Sequence, residues 1–104
     1  MPHITLECSA NVEMDFQSFF RDLASELVTT GEAAKLGIKC RVVRAEEYFI
    51  IDGDENYKMV NLLMRLREGR SEETLSTFSN IAMNIMEKYL QSDITNKKLS
   101  LIHI

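Results

Sequence analysis

The sequence contains one proline, four glycines, two cysteines and no tryptophan. The two cysteines, Cys8 and Cys40, could pair. Isolated cysteines in a chain whose first residues carry no signal-peptide pattern read instead as buried, reduced thiols. Positive charge is scarce: 12 Lys and Arg stand against 16 Asp and Glu, giving a net charge of −4 and a pI near 5.1. Nucleic-acid binding needs a basic face, so that class is set aside. A few arginines can still build a local pocket for a small anion in an acidic protein. No apolar run approaches membrane-spanning length, so no membrane partner is expected. Glycine-rich phosphate loops, CxxC, HExxH and GxSxG are all absent. These absences leave a cytoplasmic protein without an obvious cofactor or metal motif as the expectation.

What is present fits one domain. The chain has 104 residues, 45% of them hydrophobic, which is enough for a core. A domain of this size buries only a modest share of its surface, and assembly into an oligomer would add burial.

Residues 2–8 alternate, with Pro2, Ile4, Leu6 and Cys8 on one face and His3, Thr5 and Glu7 on the other. That is a strand with one apolar face, and a strand tolerates proline at its start. Residues 14–29 place Phe16, Phe19, Phe20, Leu23 and Leu27 at helical spacing, with Asp15 suited to the first turn and Gly31 to the stop. The following GEAAKLG reads as an irregular connection with one helical turn. Residues 38–51 are rich in β-branched and aromatic residues and read as a strand, bent near Ala45–Glu47. DGDEN at 52–56 is turn chemistry, and 57–67 reads as the next strand. Ser71, Glu72 and Glu73 form a helix start, and the helix over 72–91 lines up Leu75, Phe78, Ile81, Ala82, Ile85, Met86, Tyr89 and Leu90. Residues 99–104 form a last strand.

This order makes two consecutive βαβ units. The expected fold class is α/β: a four-stranded mixed sheet with two helices on one face and the other face uncovered, suited to packing on partner subunits. Taken alone, the DGDEN turn implies that the second and third strands form a simple hairpin.

Most chemistry-bearing residues have ordinary structural readings. His3 and His103 lie at opposite ends of the chain, short of the three or four ligands that zinc needs. Met14, Met59, Met64, Met83 and Met86 suit core gap-filling. Cys8 lies on an apolar strand face, away from the electropositive setting of a reactive thiol. Arg44 and Arg65 read as solvated or structural.

Pro2 is different. Removal of Met1 would leave a secondary amine at the terminus. In an apolar pocket, desolvation would favour its neutral form and let it both take and give a proton near pH 7. By itself, a proline after Met1 is only the first residue of a strand.

The surrounding pattern adds to that reading. Met1-Pro2-His3-Ile4, closed by Glu7-Cys8-Ser9, resembles the opening of the 5-carboxymethyl-2-hydroxymuconate isomerases of the 4-oxalocrotonate tautomerase superfamily. The resemblance continues through Thr30-Gly31, Gly37-Ile38-Lys39-Cys40-Arg41-Val42, Asp52-Gly53, Tyr57 and Gly69-Arg70-Ser71, and so spans nearly the whole chain. It implies a trimer with inward-facing sheets, and a sheet whose middle holds the first strand of each half. It implies that Pro2 carries a proton between the enol oxygen and a carbon of a dienol diacid formed in aromatic-acid breakdown, with no cofactor. It also implies that arginines hold the carboxylates and stabilise the developing oxygen charge.

Arg70 matches the arginine of the Gly-Arg-Ser segment. Lys39 stands where the family commonly has arginine, keeping the charge without the planar fork. Arg41, two residues on and so on the same strand face, could supply the guanidinium. The candidate site is therefore Pro2 as catalyst, with Lys39, Arg41 and Arg70 binding substrate. Two other readings remain: a tautomerase-fold dehalogenase, hydratase or decarboxylase, and a non-catalytic trimeric binding protein if Met1 is retained.

Overall fold

A computed structural model describes residues 2–67, 69–95 and 99–103. The elements follow the order β1 (His3–Ser9), α1 (Phe16–Thr29), a short 3-10 turn at Lys35–Gly37, β2 (Lys39–Ala45), β3 (Lys58–Arg65), α2 (Glu72–Thr95) and β4 (Leu99–His103). β2 runs parallel to β1, and β3 runs antiparallel to it on the other side. β4 lies parallel to β3 along its outer edge.

The hairpin implied by DGDEN does not form. Among the described residues β2 and β3 make no ladder, because β1 lies between them. Burial explains the arrangement. β1 is more deeply buried than β2 or β3, with Ile4, Leu6 and Cys8 fully buried, and so gains most from two neighbours. β2 carries Lys39, Arg41 and Arg44 and suits an edge. A helix between β1 and β2 also favours parallel pairing through a right-handed crossover. The first strand of each half thus occupies the middle, as the resemblance implies.

β2 stops at Ala45, short of the anticipated end at residue 51. The apolar run beyond it is not paired strand: Phe49 and Ile51 are exposed, and Ile51 has a φ of +57°. The chain then turns through two side-chain-to-backbone bonds. Asp52 Oδ1 accepts from the Asp54 amide at 3.1 Å, and Asp54 Oδ1 accepts from the Asn56 amide at 2.8 Å. Such Asx turns are why Asp and Asn mark loops.

α1 begins at its cap. Asp15 sits just outside the helix, and its carboxylate accepts from the backbone amide and the hydroxyl of Ser18. These bonds hold the Asp15 carboxyl below its usual range. α2 starts in the same way, with Ser71 Oγ accepting from the Thr74 amide at 3.1 Å and acids at Glu72 and Glu73. It bends at Leu90, whose φ of −117° and ψ of 17° leave the helical region.

The core lies between the helices and one sheet face. Ile4, Leu6, Cys8, Val60 and Leu62 meet Phe19, Leu23 and Leu27 of α1 and Phe78, Ala82, Ile85, Met86 and Leu90 of α2. Leu75 departs from its expected place on this face, being 44% exposed. Burial pushes both thiols up, as expected for inert cysteines. Cys8 opposes Arg44 while Cys40 opposes Ile4. They are therefore four positions apart on adjacent strands, roughly 13 Å, which no disulfide spans. Among the described residues, no helix is long and apolar enough to cross a membrane.

Candidate active site

The register defines the two faces and two ends of the sheet. Pro2, Ile4, Leu6 and Cys8 point towards the helices, so His3, Thr5 and Glu7 lie on the opposite, open face. His3 opposes Lys39 on β2 and Arg65 on β3, and Thr5 opposes Arg41 and Leu63. Lys39, Arg41 and Arg65 therefore share the open face with His3.

Pro2 sits at the head of β1 with its ring buried. Its carbonyl accepts from the Lys39 amide at 3.0 Å, which fixes the head of β1 to the start of β2. The loop into β2 and the loop out of β3 end beside this point, because Lys39 and Arg65 both pair with His3. Arg70, in the second loop, reaches the first. Its Nη1 donates to the Glu32 backbone carbonyl and lies 3.3 Å from the Glu32 carboxylate.

Of the four predicted site residues, the fold brings Pro2, Lys39 and Arg70 to one end of the sheet. Arg41 lies one step further along the open face. Lys39 and Arg41 are exposed, and their shared face follows from strand alternation. Arg44, read as structural, is held by the carbonyls of Ala10 and Val12 at 3.3 and 3.1 Å, with its guanidinium 5.1 Å from the centre of the Phe16 ring. Arg65 is the residue that sequence reasoning passed over. It reads from sequence as solvated or structural, and only the β2-β1-β3 order sets it across His3 from Lys39.

Charge separates the two ends of the molecule. Among the described residues, Lys39, Arg41 and Arg65 have no salt-bridge partner, and their field converges on His3. Partial desolvation, followed by Lys39, Arg41 and Arg65, holds the His3 imidazole below its ordinary pKa. At the other end, a cavity of about 510 Å³ is lined by Glu46, Glu47, Tyr48, Ile50, Gly53, Asp54 and Glu55. Four carboxylates there would repel an anion. A cavity of about 500 Å³, with Met64, Leu66, Leu75 and Phe78 in its wall, opens between the end of β3 and the first turns of α2. It lies towards the Pro2 end, and none of the four predicted site residues lines it. A buried ring at a strand head beside exposed cations can position a small anion and can exclude water from one side of the proline nitrogen.

Comparison with known proteins gives concordant results. The family model for 5-carboxymethyl-2-hydroxymuconate isomerase matches residues 2–102. A 5-carboxymethyl-2-hydroxymuconate Delta-isomerase from Escherichia coli is 26% identical over 103 residues, covering 97% of this chain and 82% of the relative. The crystal structure of a 5-carboxymethyl-2-hydroxymuconate isomerase from Deinococcus radiodurans R1 superposes with a TM-score of 0.88 at 25% identity, covering 98% of this chain and 81% of the other. A fused 4-OT described as a wild-type symmetric trimer shares the fold, with a TM-score of 0.72 at 12% identity, over 98% of this chain and 83% of the other.

Proposed function

The chain belongs to the 5-carboxymethyl-2-hydroxymuconate isomerase family, and on that footing we propose that it isomerises a 2-hydroxymuconate-type dienol diacid with Pro2 as both acid and base. The observation that carries this reading is a buried proline at the head of the central strand, beside the cationic end of the sheet.

The chemistry begins with loss of Met1, because with Met1 attached the Pro2 nitrogen is a tertiary amide without basicity. The free secondary amine takes the enol O–H proton. As the C–O bond becomes a carbonyl, the electron pair moves along the diene, and the terminal carbon receives the proton back from the prolinium. The product is the conjugated 2-oxo isomer, and the amine is regenerated. Arg70 and the Lys39/Arg41 pair hold the carboxylates and stabilise charge on the oxygen during the transfer. No cofactor takes part in this sequence.

Two further elements belong to the proposal: assembly as a homotrimer through the open sheet face, and a place in the cytoplasm. Val43 and Leu63 give that face an apolar section beyond the cations. Lys39 favours a second reading, in which the same Pro2 chemistry serves another anionic substrate in a dehalogenase, hydratase or decarboxylase. The decisive experiment pairs intact-mass measurement with an ultraviolet assay on a 2-hydroxymuconate and on phenylenolpyruvate. Processed protein that converts the diacid supports the isomerase reading; processed protein silent on both substrates sinks it.

A further inference from the structure

We propose that the Thr30–Glu32 turn positions Arg70 for the reaction: Glu32 holds one side of the guanidinium, and the opposite edge is left to grip a substrate carboxylate. This rests on the reading of Arg70 as a substrate-binding group and adds to it the residues that aim it.

The turn is built to hold still. Thr30 ends α1, and its hydroxyl donates to the Leu27 carbonyl at 2.6 Å while accepting from the Glu32 amide at 3.1 Å. Gly31 has a φ of +79°, the left-handed region that favours glycine, and its amide donates to the Val28 carbonyl at 3.0 Å. Ala33 follows, packed in the core. Glu32 is thus fixed by a hydroxyl before it and a buried methyl after it. The positioning task gives Thr30-Gly31, a segment that carries the family resemblance, a part in the chemistry.

Arg70 meets this turn with a single nitrogen. Nη1 donates to the Glu32 carbonyl and lies 3.3 Å from its carboxylate. A guanidinium has five N–H donors, two of them on this nitrogen. Among the described residues the Nε and Nη2 donors have no partner. Nε–H and the neighbouring Nη2–H form the side-on fork that matches both oxygens of a carboxylate. That edge lies across the guanidinium from Nη1, and so faces away from Glu32.

A long arginine side chain loses rotamer freedom when it binds. Glu32 imposes that loss before the substrate arrives, which is the preorganisation that stabilising a developing charge requires. Repulsion between Glu32 and the substrate carboxylate opposes this gain. The guanidinium stands between them, so each carboxylate is closer to the cation than to the other anion, and attraction wins.

The test measures kcat and KM on a 2-hydroxymuconate for the processed full chain, and titrates the Arg70 Nε–H NMR signal with adipate, an unreactive diacid. Glu32→Ala and Thr30→Val should each lower kcat/KM about tenfold, through whichever of kcat and KM Arg70→Ala also changes. Glu32→Gln keeps an acceptor oxygen and should stay within about threefold of the wild type. In the Arg70→Ala background, Glu32→Ala should cost nothing further. Thermal melts check that each variant is folded. In the second arm, adipate should move the wild-type Nε–H signal, and Glu32→Ala should weaken adipate binding about tenfold. Wild-type kinetics in Glu32→Ala and Thr30→Val overturn the inference. So does tighter adipate binding by Glu32→Ala, or an equal loss with and without Arg70. A wild type without turnover sinks the isomerase reading alone, and the adipate arm then decides the positioning role. An Nε–H signal indifferent to adipate overturns that role.

Discussion

Arg70 and Glu32 tie together the two loops that meet at the head of β1. One guanidinium nitrogen serves both the backbone carbonyl and the carboxylate of Glu32. Arg70 is held at 22% side-chain exposure, while Glu32 is 53% exposed. An ion pair this open is worth about 0–1 kcal/mol, so its importance lies in aiming Arg70. Glu32→Gln keeps the backbone acceptor and should change stability by less than about 1 kcal/mol in urea titration. Arg70→Ala should lower kcat by about 10²–10³-fold if its guanidinium stabilises the developing oxygen charge. A rise in KM with kcat intact would make Arg70 a binding group only.

Pro2→Ala retains an N-terminal amine after Met1 is removed but replaces the secondary amine with a primary one. The loss in kcat is expected to be about 10²–10⁴-fold, the usual contribution of a positioned acid–base group. Because the Pro2 ring is buried, the measurement needs a parallel thermal melt. The stronger control is the wild-type chain with Met1 retained. It keeps the ring and its packing but has an amide nitrogen, so it should fold normally and show no turnover.

Asn11 holds the far end of the sheet together. Its Nδ2 donates to the carbonyls of Glu55 and Tyr57 at 3.2 and 2.8 Å, while its Oδ1 accepts from Ser9 Oγ at 2.6 Å. Ser9 Oγ in turn accepts from the Met59 amide at 2.9 Å. Asn11→Ala strips partners from two carbonyls and a buried hydroxyl, and should cost about 1–3 kcal/mol in chemical denaturation. Asn11→Asp keeps the acceptor, loses the donors and places a charge near Glu55. It should be no more stable than the alanine variant.

Much of this arrangement was legible from local chemistry. Strand alternation gave the faces of Pro2, Lys39 and Arg41, and Ser71 marked the start of α2 through its own hydroxyl. Sequence could not place elements that depend on competition between partners. The DGDEN turn is real, yet β2 and β3 stay apart because β1 occupies the position between them. Phe49 and Ile51 look like strand residues, but their segment has no ladder to join. Arg65 reads from sequence as solvated or structural for the same reason: its neighbours across the sheet are set by topology, not by spacing along the chain.

The cationic row gives stability a distinct acid limb. His3 has a folded pKa below its ordinary value of 6.5, with partial desolvation the first cause and Lys39, Arg41 and Arg65 next. Below pH 6.5 the unfolded chain takes up a proton that the folded chain still resists. The His3 contribution is therefore fully present above pH 6.5 and is lost as pH falls through the folded value. The chain holds one other histidine, His103. The wild-type slope must therefore be compared with that of His3→Gln. Denaturation midpoints measured from pH 7.5 down to pH 5 should fall more steeply in the wild type. Arg65→Gln removes one of the cations acting on His3 and should bring its folded pKa closer to 6.5, making the acid limb shallower. Identical pH profiles for wild type and His3→Gln would show that the cations do not act on the imidazole in solution.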